Sequence, residues 1–330
     1  MGLRVTTKEI ARVCRVSVGT VDRALNNREG INRDTRERVL AAAAQLGYHP
    51  HLLARGLVTG STKTIGVVAL TLHNPFFSEL VEVIQRKARS AGYYVFLMLN
   101  EFDPQEEQAS LERLQALNVD GIILVPVNRG TFFTAYLKRL ATPVVTISNR
   151  VSRDVPWVGI DEHAAVRDSA RFAMAKGYEK IVFVTQSRGP NIAPLLYVDE
   201  ERVRGYRDAL REAGWGHPPE IYSDTEITQT IDRNHGVFAA RTCLLCTCDA
   251  VALDILNMLK KHRVAIPDRV GLMGFDNLDE LKYVSPRLTT VSYPIEAMGE
   301  LAFDGLMEQI AGTPAQSHTL AHEIIPGESV

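Results

Sequence analysis

Residues 16–26 read VSVGTVDRALN, and this stretch decides the fold of the N-terminal part of the chain. Ser17 is suited to begin a short helix, because its hydroxyl can accept a hydrogen bond from a backbone N–H that the first turn leaves free. Val21, Ala24 and Leu25 follow at the spacing of one apolar helix face. The stretch therefore predicts a short amphipathic helix with small side chains at its start.

Two further helices are predicted on either side of this one. Thr6 and Glu9 have the spacing of a capping box at the start of the first helix. Asn32 is placed to cap a third helix, which Gly47 and Pro50 would end. Three short helices with a turn of a few residues between the first two describe a helix-turn-helix module.

The charge of the chain is divided unevenly. Residues 1–60 hold ten Lys and Arg against five Asp and Glu, so this part carries +5, although the whole chain carries −2. A basic head on an acidic body is typical of a polyanion-binding module joined to a domain with another ligand. Charge by itself also fits a solvated surface with an uneven distribution.

From residue 63 onward, apolar runs of strand length alternate with helical stretches. The runs are 65–70, 94–99, 121–126, 143–148, 180–185, 243–247, 270–275 and 289–293. Near-continuous runs of Val, Ile and Leu separated by helices indicate buried parallel strands in βαβ units. The local pattern leaves open one large sheet, a barrel or two sheets.

Several classes of protein are disfavoured. No apolar run reaches the roughly 18 residues of a membrane-spanning helix, and residues 1–16 hold no continuous apolar segment of a secretory signal. We therefore expect a cytoplasmic setting and no membrane partner. The G-x-S-x-G, H-E-x-x-H, P-loop and G-x-G-x-x-G motifs are absent, which disfavours an enzyme, and no cofactor is expected.

Three cysteines lie close together in the sequence, at Cys243, Cys246 and Cys248. In a strand, Cys246 and Cys248 would face one side and Cys243 the other, and no His or further Cys lies nearby in the sequence. We therefore predict small buried hydrophobic residues and no metal site.

The stretch 16–26, together with residues 35–39 and 46–50, resembles the helix-turn-helix signature of the LacI family of bacterial repressors. Later landmarks follow in the family's order, with IGVV at 65–68, NPFF at 74–77, DGII at 120–123 and GFD at 274–276. The resemblance implies a small all-α helix-turn-helix domain followed by an α/β body. That body would consist of two doubly wound parallel-sheet subdomains, similar to periplasmic binding proteins, around a small-molecule cleft.

The resemblance also sets the expected domain limits and partners. We expect the helix-turn-helix domain at 1–50, a hinge at 51–62 and an effector-binding and dimerisation domain at 63–330. Within the last, subdomain 1 is expected at about 63–160 and 292–330, and subdomain 2 at about 161–291. The expected partners are a near-palindromic duplex operator, a small-molecule effector and a second copy of the chain in a homodimer, or further copies in a tetramer.

By resemblance, the helix after Ser17 lies in the major groove of DNA, where short side chains meet base edges. Val18 and Gly19 take the two leading specificity positions. Arg23 is predicted to read a guanine through O6 and N7, with a phosphate contact as the alternative. Phosphate contacts are predicted for Thr20 and Arg36. The complete predicted DNA-binding set is Thr6, Ser17, Val18, Gly19, Thr20, Arg23, Asn26, Arg36 and Leu57.

Two positions of this set need comment. The family usually has Ser where this chain has Asp22, and a carboxylate facing DNA would be repelled. We expect Asp22 to turn away and pair with a neighbouring basic residue such as Arg4 or Arg23, unless this subgroup docks differently. Leu57 matches the leucine that the family inserts into the minor groove at the operator centre. Its alternative role is to cover the core of the body.

The resemblance places the effector in the cleft of the body. Phe76 and Phe77 would stack on a sugar or base from one wall, unless they are ordinary core residues. Arg202 and Asp276 would bind hydroxyls or a carboxylate from the other wall. The complete predicted effector-binding set is Asn74, Phe76, Phe77, Ser148, Asn149, Arg202, Cys248, Asp276 and Tyr293.

Two positions in the cleft depart from the family. An Asn-Asp pair is usual where this chain has Cys248 and Asp249, and an Asp is usual where Ser148 stands. A thiol lacks the two-way hydrogen bonding of an amide, so these changes argue against a simple pentose or hexose as effector. Asp249 is expected to cap the helix that follows it.

Arg202 also has an alternative role, in a structural ion pair with Asp199 or Glu201. Taken together, the residues predict a DNA-binding transcriptional regulator, a repressor, controlled by a small molecule such as a sugar or sugar derivative. The alternative is a solute-binding protein or an enzyme built on the same α/β body.

Overall fold

A computed structural model describes residues 5–48, 60–187, 196–233, 238 and 240–330. The chain forms two compact units, of which the first ends at Thr62 and the second begins at Lys63. Leu57 and most of the predicted hinge at 51–62 lie outside the described residues. None of the described helices is long and apolar enough to cross a bilayer.

The first unit contains the three predicted helices. They are α1 (Thr7–Cys14), α2 (Val18–Leu25) and α3 (Arg33–Gln45). Thr6, Ser17 and Asn32 have extended backbones at the three N-caps, and the side chain of each accepts a hydrogen bond from a backbone N–H of the first turn. Gly47 follows α3 with φ at +67°, the left-handed conformation that ends many helices. All four predicted positions are confirmed.

The core of the first unit is small. Ile10, Val21 and Val39, one from each helix, are fully buried and belong to one apolar cluster. Because α2 buries only one face in this cluster, its opposite face remains in solvent.

The second unit alternates strands and helices. In chain order they are β1 (Thr64–Ala69), α4 (Pro75–Ser90), β2 (Tyr94–Leu99), α5 (Pro104–Ala116), β3 (Gly121–Leu124), α6 (Gly130–Arg139), β4 (Val144–Ile147), β5 (Trp157–Ile160), α7 (Glu162–Ala175), β6 (Lys180–Thr185), α8 (Tyr197–Glu212), β7 (Glu220–Ser223), α9 (Asp224–Arg233), β8 (Thr242–Cys246), α10 (Asp249–Lys261), β9 (Val270–Phe275), a 3₁₀ helix (Asp279–Tyr283), β10 (Thr289–Ser292), α11 (Ile295–Ile310), β11 (His318–Leu320) and β12 (Glu323–Ile325).

These strands form two separate six-stranded sheets. The first has the order β11-β5-β4-β3-β1-β2, and every neighbouring pair is parallel. The second has the order β12-β10-β9-β8-β6-β7 and is parallel except for the pair β10 and β12. The predicted fold class, a small all-α domain followed by two parallel-sheet α/β subdomains, is confirmed.

The chain passes between the two subdomains three times, after β5, after β10 and between β11 and β12. The last crossing differs from the expectation that 292–330 belongs to subdomain 1. β12 pairs antiparallel with β10 in the second sheet, where Ile325 lies opposite Thr290. Ser329 also accepts a hydrogen bond from the backbone N–H of Thr289 at 2.8 Å. The partners of Ile325 and Ser329 lie in β10, which is distant in sequence, so no local pattern indicates that the chain end returns to the second sheet.

The four cysteines are buried and have free thiols. Cys243 lies in one apolar cluster, and Cys246 and Cys248 lie in another. The predicted separation of these side chains is confirmed. Burial raises the pKa of the Cys248 thiol to about 12, so it is an uncharged, weakly polar group at neutral pH.

Candidate nucleic-acid interface and ligand cleft

The start of α2 lies at the surface of the first unit. Ser17 Oγ accepts a hydrogen bond from the backbone N–H of Thr20 at 3.1 Å and lies 2.9 Å from Thr20 Oγ1. Val18 is 43% exposed, and Gly19 and Arg23 are exposed as well. The three residues predicted to meet bases are therefore available to a partner on the outer side of the helix.

Gly19 has no internal reason to be glycine. A Cβ built at this position would meet nothing closer than Ser17 Oγ at 3.8 Å, and the backbone is not in the left-handed region. The fold would accept alanine here. Packing therefore does not require glycine here, and the missing side chain leaves room for a partner that approaches α2 from outside.

The expected pairing of Asp22 with Arg23 is wrong. Asp22 Oδ1 accepts a hydrogen bond from Asn26 Nδ2 at 2.7 Å, and Asp22 Oδ2 lies 3.3 Å from Arg28 Nη1. Asn26 is one helical turn away, and Arg28 comes back to the helix end after the turn. The alternative partner, Arg4, lies outside the described residues. No carboxylate among the described residues forms an ion pair with Arg23, so its guanidinium is available to DNA.

Arg36 and Thr6 have structural roles in addition to those predicted. Arg36 donates to Asn27 Oδ1 and to the carbonyl of Arg28, both at 2.7 Å, and so braces the turn between α2 and α3. This use competes with the phosphate contact predicted for Arg36. Thr6 is exposed and completes the capping box, in which its backbone N–H donates to Glu9 Oε2 at 2.7 Å.

The second unit contains a cavity of about 280 Å³ at the carboxyl ends of strands from both sheets. Ligands of open α/β sheets bind at this edge. All nine residues of the predicted effector-binding set line the cavity. The residues of this set that follow β4, β8 and β9 are Ser148, Asn149, Cys248 and Asp276.

Further lining residues were not predicted from the sequence. They are Leu70, Thr71, His73, Phe102, Gln186, Leu196, Val198, Asp199, Thr247 and Ala250. Phe102 and Gln186 follow the ends of β2 and β6, so the same strand-end rule would have found them. Asp199 lies three residues before Arg202 on α8, and helical spacing would have indicated it.

An aromatic wall comes from the start of α4. Asn74 caps this helix, because its Oδ1 accepts a hydrogen bond from the backbone N–H of Phe76 at 3.0 Å. Phe76 and Phe77 are buried, and their ring centroids lie 4.9 Å apart in an edge-to-face arrangement. Phe76 also packs against the ring of Tyr293 at 5.8 Å. The two phenylalanines therefore belong to the core and also line the cavity, and their stacking on a ligand stays a prediction.

The opposite wall contains a buried ion pair. Arg202 Nε donates to Glu162 Oε2 at 2.7 Å, and Arg202 Nη1 donates to the carbonyl of Thr247. The guanidinium carbon lies 3.7 Å from the centroid of the Phe275 ring. Arg202 therefore does form a structural ion pair, but the expected partners Asp199 and Glu201 are wrong. Glu162 begins α7, which packs along α8 and brings its carboxylate to Arg202.

Asp276 follows β9 and faces the cavity with an unusual backbone, whose φ of 112° is strained for a residue with a side chain. Its Oδ1 accepts a hydrogen bond from the hydroxyl of Tyr293 at 2.7 Å. Burial raises the pKa of Asp276 to about 8, although the positive charge of Arg202 acts in the opposite direction. The carboxyl group therefore changes its charge close to neutral pH.

Asp249 does not cap α10, contrary to the expectation. The N-cap is Cys248, and Asp249 is the first residue of the helix. Its carboxylate accepts hydrogen bonds from the backbone N–H of Leu278 at 2.9 Å and from Thr290 Oγ1 at 2.7 Å. Asp249 therefore joins the loop after β9 to β10, a tertiary connection that residue spacing does not show.

Two contacts tie the start of α8, in the second subdomain, to the first subdomain. Asn149, after β4, accepts a hydrogen bond from the backbone N–H of Val198 at 3.1 Å. Arg129, before α6, donates through both terminal nitrogens to the carboxylate of Glu200, with Nη1 at 2.8 Å from Oε2. This hydrogen bond lowers the pKa of Glu200. The two walls of the cleft are thus joined directly beside the cavity.

Comparison with known proteins agrees with this organisation. Residues 6–51 match the model of the bacterial regulatory proteins of the lacI family, and residues 170–330 match that of a periplasmic binding protein-like domain. The HTH-type transcriptional regulator RegA of Clostridium saccharobutylicum is 30% identical over 98% of this chain and 98% of its own. The HTH-type transcriptional repressor CytR of Escherichia coli (strain K12) is 28% identical over 93% of this chain and 90% of its own.

A solved structure shares the fold across the whole length. The lac repressor dimer bound to its operator and to the anti-inducer ONPF superimposes with a TM-score of 0.85 at 20% identity, covering 99% of both chains. The two curated relatives are HTH-type transcriptional regulators and not enzymes. Because the likeness to RegA extends over both units at this identity, the chain belongs to the LacI family of bacterial regulatory proteins.

Proposed function

We propose that this chain is a transcriptional repressor that binds operator DNA as a dimer and changes its operator affinity when a small molecule occupies the cleft. The observation that carries the proposal is the outer face of α2. Its start presents Val18, Gly19 and Arg23, which has no ion-pair partner among the described residues, on a helix that is capped and held by the core beneath it. A recognition helix needs this combination of a rigid support and an accessible first turn.

On DNA, each group has a distinct role. Arg23 reads a guanine by donating to O6 and N7, and Val18 contacts a thymine methyl group. Thr6, Thr20 and Asn26 lie near the backbone of the duplex. Leu57 inserts into the minor groove at the operator centre, where an apolar wedge bends the duplex.

The binding of a near-palindromic operator requires two copies of the chain. An apolar surface suited to a second copy lies on β2, the edge strand of the first sheet. Tyr94, Phe96 and Leu97 of this strand are 58%, 39% and 38% exposed. Large apolar side chains on an open sheet edge are a liability unless another chain covers them. The dimer, or a tetramer built from it, would act on DNA in the cytoplasm.

The effector acts through the two walls of the cleft. A ligand that touches Phe76 on α4 and Asp276 after β9 contacts both subdomains, so it binds one closure state more tightly than the other. Its effect on operator binding is limited to this difference in affinity. The contacts at Asn149 and Arg129 cross the same cleft. They therefore help to determine how closed the cleft is before a ligand binds.

Selection from a random duplex library with the purified full-length protein tests this function. We expect enrichment of a near-palindrome and an affinity that falls steeply with salt, since phosphate neutralisation releases counterions. A preference for single strands, or an affinity independent of salt, would contradict the proposal. If the chain were a solute-binding protein or an enzyme built on the same α/β body, the selection would enrich no DNA sequence.

A further inference from the structure

The turn after α2 holds the backbone of Arg28 in a fixed position. The backbone N–H of Arg28 donates to the carbonyl of Arg23 at 2.9 Å, which closes the end of α2. Its carbonyl accepts a hydrogen bond from Arg36 Nη2 at 2.7 Å, and Arg36 Nη1 donates to Asn27 Oδ1 in the same turn. The backbone of Arg28 is therefore anchored to both α2 and α3.

The side chain of Arg28 turns back toward α2, where its Nη1 lies 3.3 Å from Asp22 Oδ2. Val18, Asp22 and Asn26 follow one another at a spacing of four residues, so they lie in one line along the helix. Gly19 lies three residues before Asp22, beside this line. The guanidinium of Arg28 is therefore placed next to the part of α2 that would meet DNA in the proposed function.

The guanidinium of Arg28 keeps its hydrogen-bond donors for another partner. The side chain is 50% exposed, and among the described residues none accepts a hydrogen bond from the guanidinium. An exposed ion pair is weak, so Asp22 does not withhold this group from a second anion. The planar fork of an arginine matches the oxygens of a phosphate. Arg28 therefore combines a fixed backbone with a guanidinium that is free to bind.

Two neighbouring side chains are less suited to a phosphate. Asn26 Nδ2 donates to the carbonyl of Asp22 at 3.0 Å and to Asp22 Oδ1 at 2.7 Å. These bonds use both N–H groups of the amide, and its remaining oxygen is an acceptor, as the oxygens of a phosphate are. Arg36 binds the turn through Nη1 and Nη2, and its Nε is buried with no partner among the described residues. A phosphate would have to displace these bonds, whereas it would displace none at Arg28.

We propose that Arg28 binds a phosphate of the operator through its guanidinium, from the turn that follows α2. The inference rests on the proposed function, because it adds a contact to the same DNA interface. It also explains how a carboxylate at Asp22 is compatible with DNA, since the charge of Arg28 offsets it at 3.3 Å.

DNA binding by full-length Arg28→Gln, measured over a series of salt concentrations, tests the inference. The probes are the operator recovered by selection and a duplex of the same length with a scrambled sequence. Each lost phosphate contact should lower the steepness of log affinity against log salt by about 0.9, so a dimer should lose about 1.8. Affinity for both duplexes should fall by the same factor, because a phosphate contact carries no sequence information. An unchanged steepness, or a loss confined to one base pair of the operator, overturns the inference.

Arg33→Gln is the matched control. Arg33 is 90% exposed and lies 2.9 Å from Glu37, so this variant removes the same charge and a similar exposed ion pair. It should keep the salt dependence of the wild type, and an effect of Arg28→Gln no larger than that of the control overturns the inference.

Thermal unfolding of Arg28→Gln identifies a purely structural role. If Arg28 only stabilised the end of α2, the variant would unfold at a lower temperature and keep the salt dependence of the wild type, which also overturns the inference. Selection with the wild type judges the proposed function separately, because it does not depend on Arg28→Gln. Failure to recover any operator contradicts that function, whereas an operator bound with unchanged salt dependence by Arg28→Gln contradicts only this contact.

Discussion

In the helix-turn-helix unit, polar side chains find their partners a few residues away, whereas in the cleft they find them across the fold. Thr6 and Glu9 are three residues apart, and Asp22 and Asn26 are four. Arg202 and Glu162 are forty residues apart. The first two pairs are exposed or half-buried and the last is buried. Polar pairs in the two regions should therefore contribute differently to the free energy of unfolding. Four predictions test that difference.

The largest effect is expected in the cleft. Glu162→Gln leaves Arg202 buried without its counter-ion and should lower the free energy of unfolding of the body by about 3–5 kcal/mol. The matched change in the head is Glu37→Gln, whose partner Arg33 lies at 2.9 Å but is 90% exposed. It should cost about 0–1 kcal/mol. Denaturant unfolding of both variants measures the contrast, and equal costs would show that burial does not separate the two regions.

The second prediction concerns pH. Burial raises the pKa of Asp276 from 3.8 to about 8, so protonation of this carboxyl group stabilises the folded protein. Its contribution is fully present below about pH 4 and is lost as the pH rises through 8. Arg202 opposes this effect, and Asp249 and Glu162 add to it. Between pH 5 and pH 7, the free energy of unfolding of the wild type should fall relative to that of Asp276→Asn by more than about 1.4 kcal/mol, the equivalent of one pKa unit. Parallel curves for the two proteins would contradict the assignment.

In the head, the third prediction concerns recognition rather than stability. Arg23 is exposed and has no ion-pair partner among the described residues, so Arg23→Ala should leave the fold intact. It should weaken operator binding by about 1–3 kcal/mol and relax the preference at one base pair. Binding of operators with single substitutions measures this. Equal weakening of binding to every operator sequence would show that Arg23 contacts a phosphate and not a base.

Arg36→Ala removes the hydrogen bond from Arg36 to Asn27 Oδ1 at 2.7 Å, so it should instead destabilise the helix-turn-helix unit.

The smallest effect is expected at Gly19. Alanine fits the available space and should stabilise α2 by roughly 0.5–1 kcal/mol, since glycine loses more freedom in a helix. Operator affinity should nevertheless fall, because the new methyl group stands where a duplex approaches. Thermal unfolding and DNA titration of Gly19→Ala separate the two effects. A variant with unchanged affinity would show that DNA does not approach α2 at this position.

Much of the head could be predicted because its signals act within one helical turn. Thr6, Ser17 and Asn32 each satisfy a backbone N–H two or three residues later, and Gly47 takes the left-handed conformation next to its helix. Such contacts depend only on neighbouring residues. Asp22 pairs with a neighbouring basic residue as expected, but Arg23 was the wrong partner, because the turn after α2 brings Arg28 to 3.3 Å from its carboxylate.

Part of the cleft could be predicted, because the resemblance to the LacI family places nine of its residues and some of these lie at strand ends, which are visible in a sequence. Asn149, Cys248 and Asp276 follow apolar runs, and the carboxyl ends of parallel strands meet at one edge of a sheet. The hydrogen bonds of these residues could not be predicted. Asn149 binds the backbone of Val198, forty-nine residues away, and such pairs depend on how helices pack.

The sequence by itself determined the three capped helices and the alternation of strands and helices, since each follows from spacing along the chain, and its resemblance to the LacI family located nine of the residues that line the cavity. Only the tertiary structure decided that Glu162 pairs with Arg202, that Asp249 joins β9 to β10, and that the chain end returns to the second sheet. The physical reason is that a buried charge must find a partner wherever packing places one. Which segment lies nearest is a property of the whole fold and not of any stretch within it.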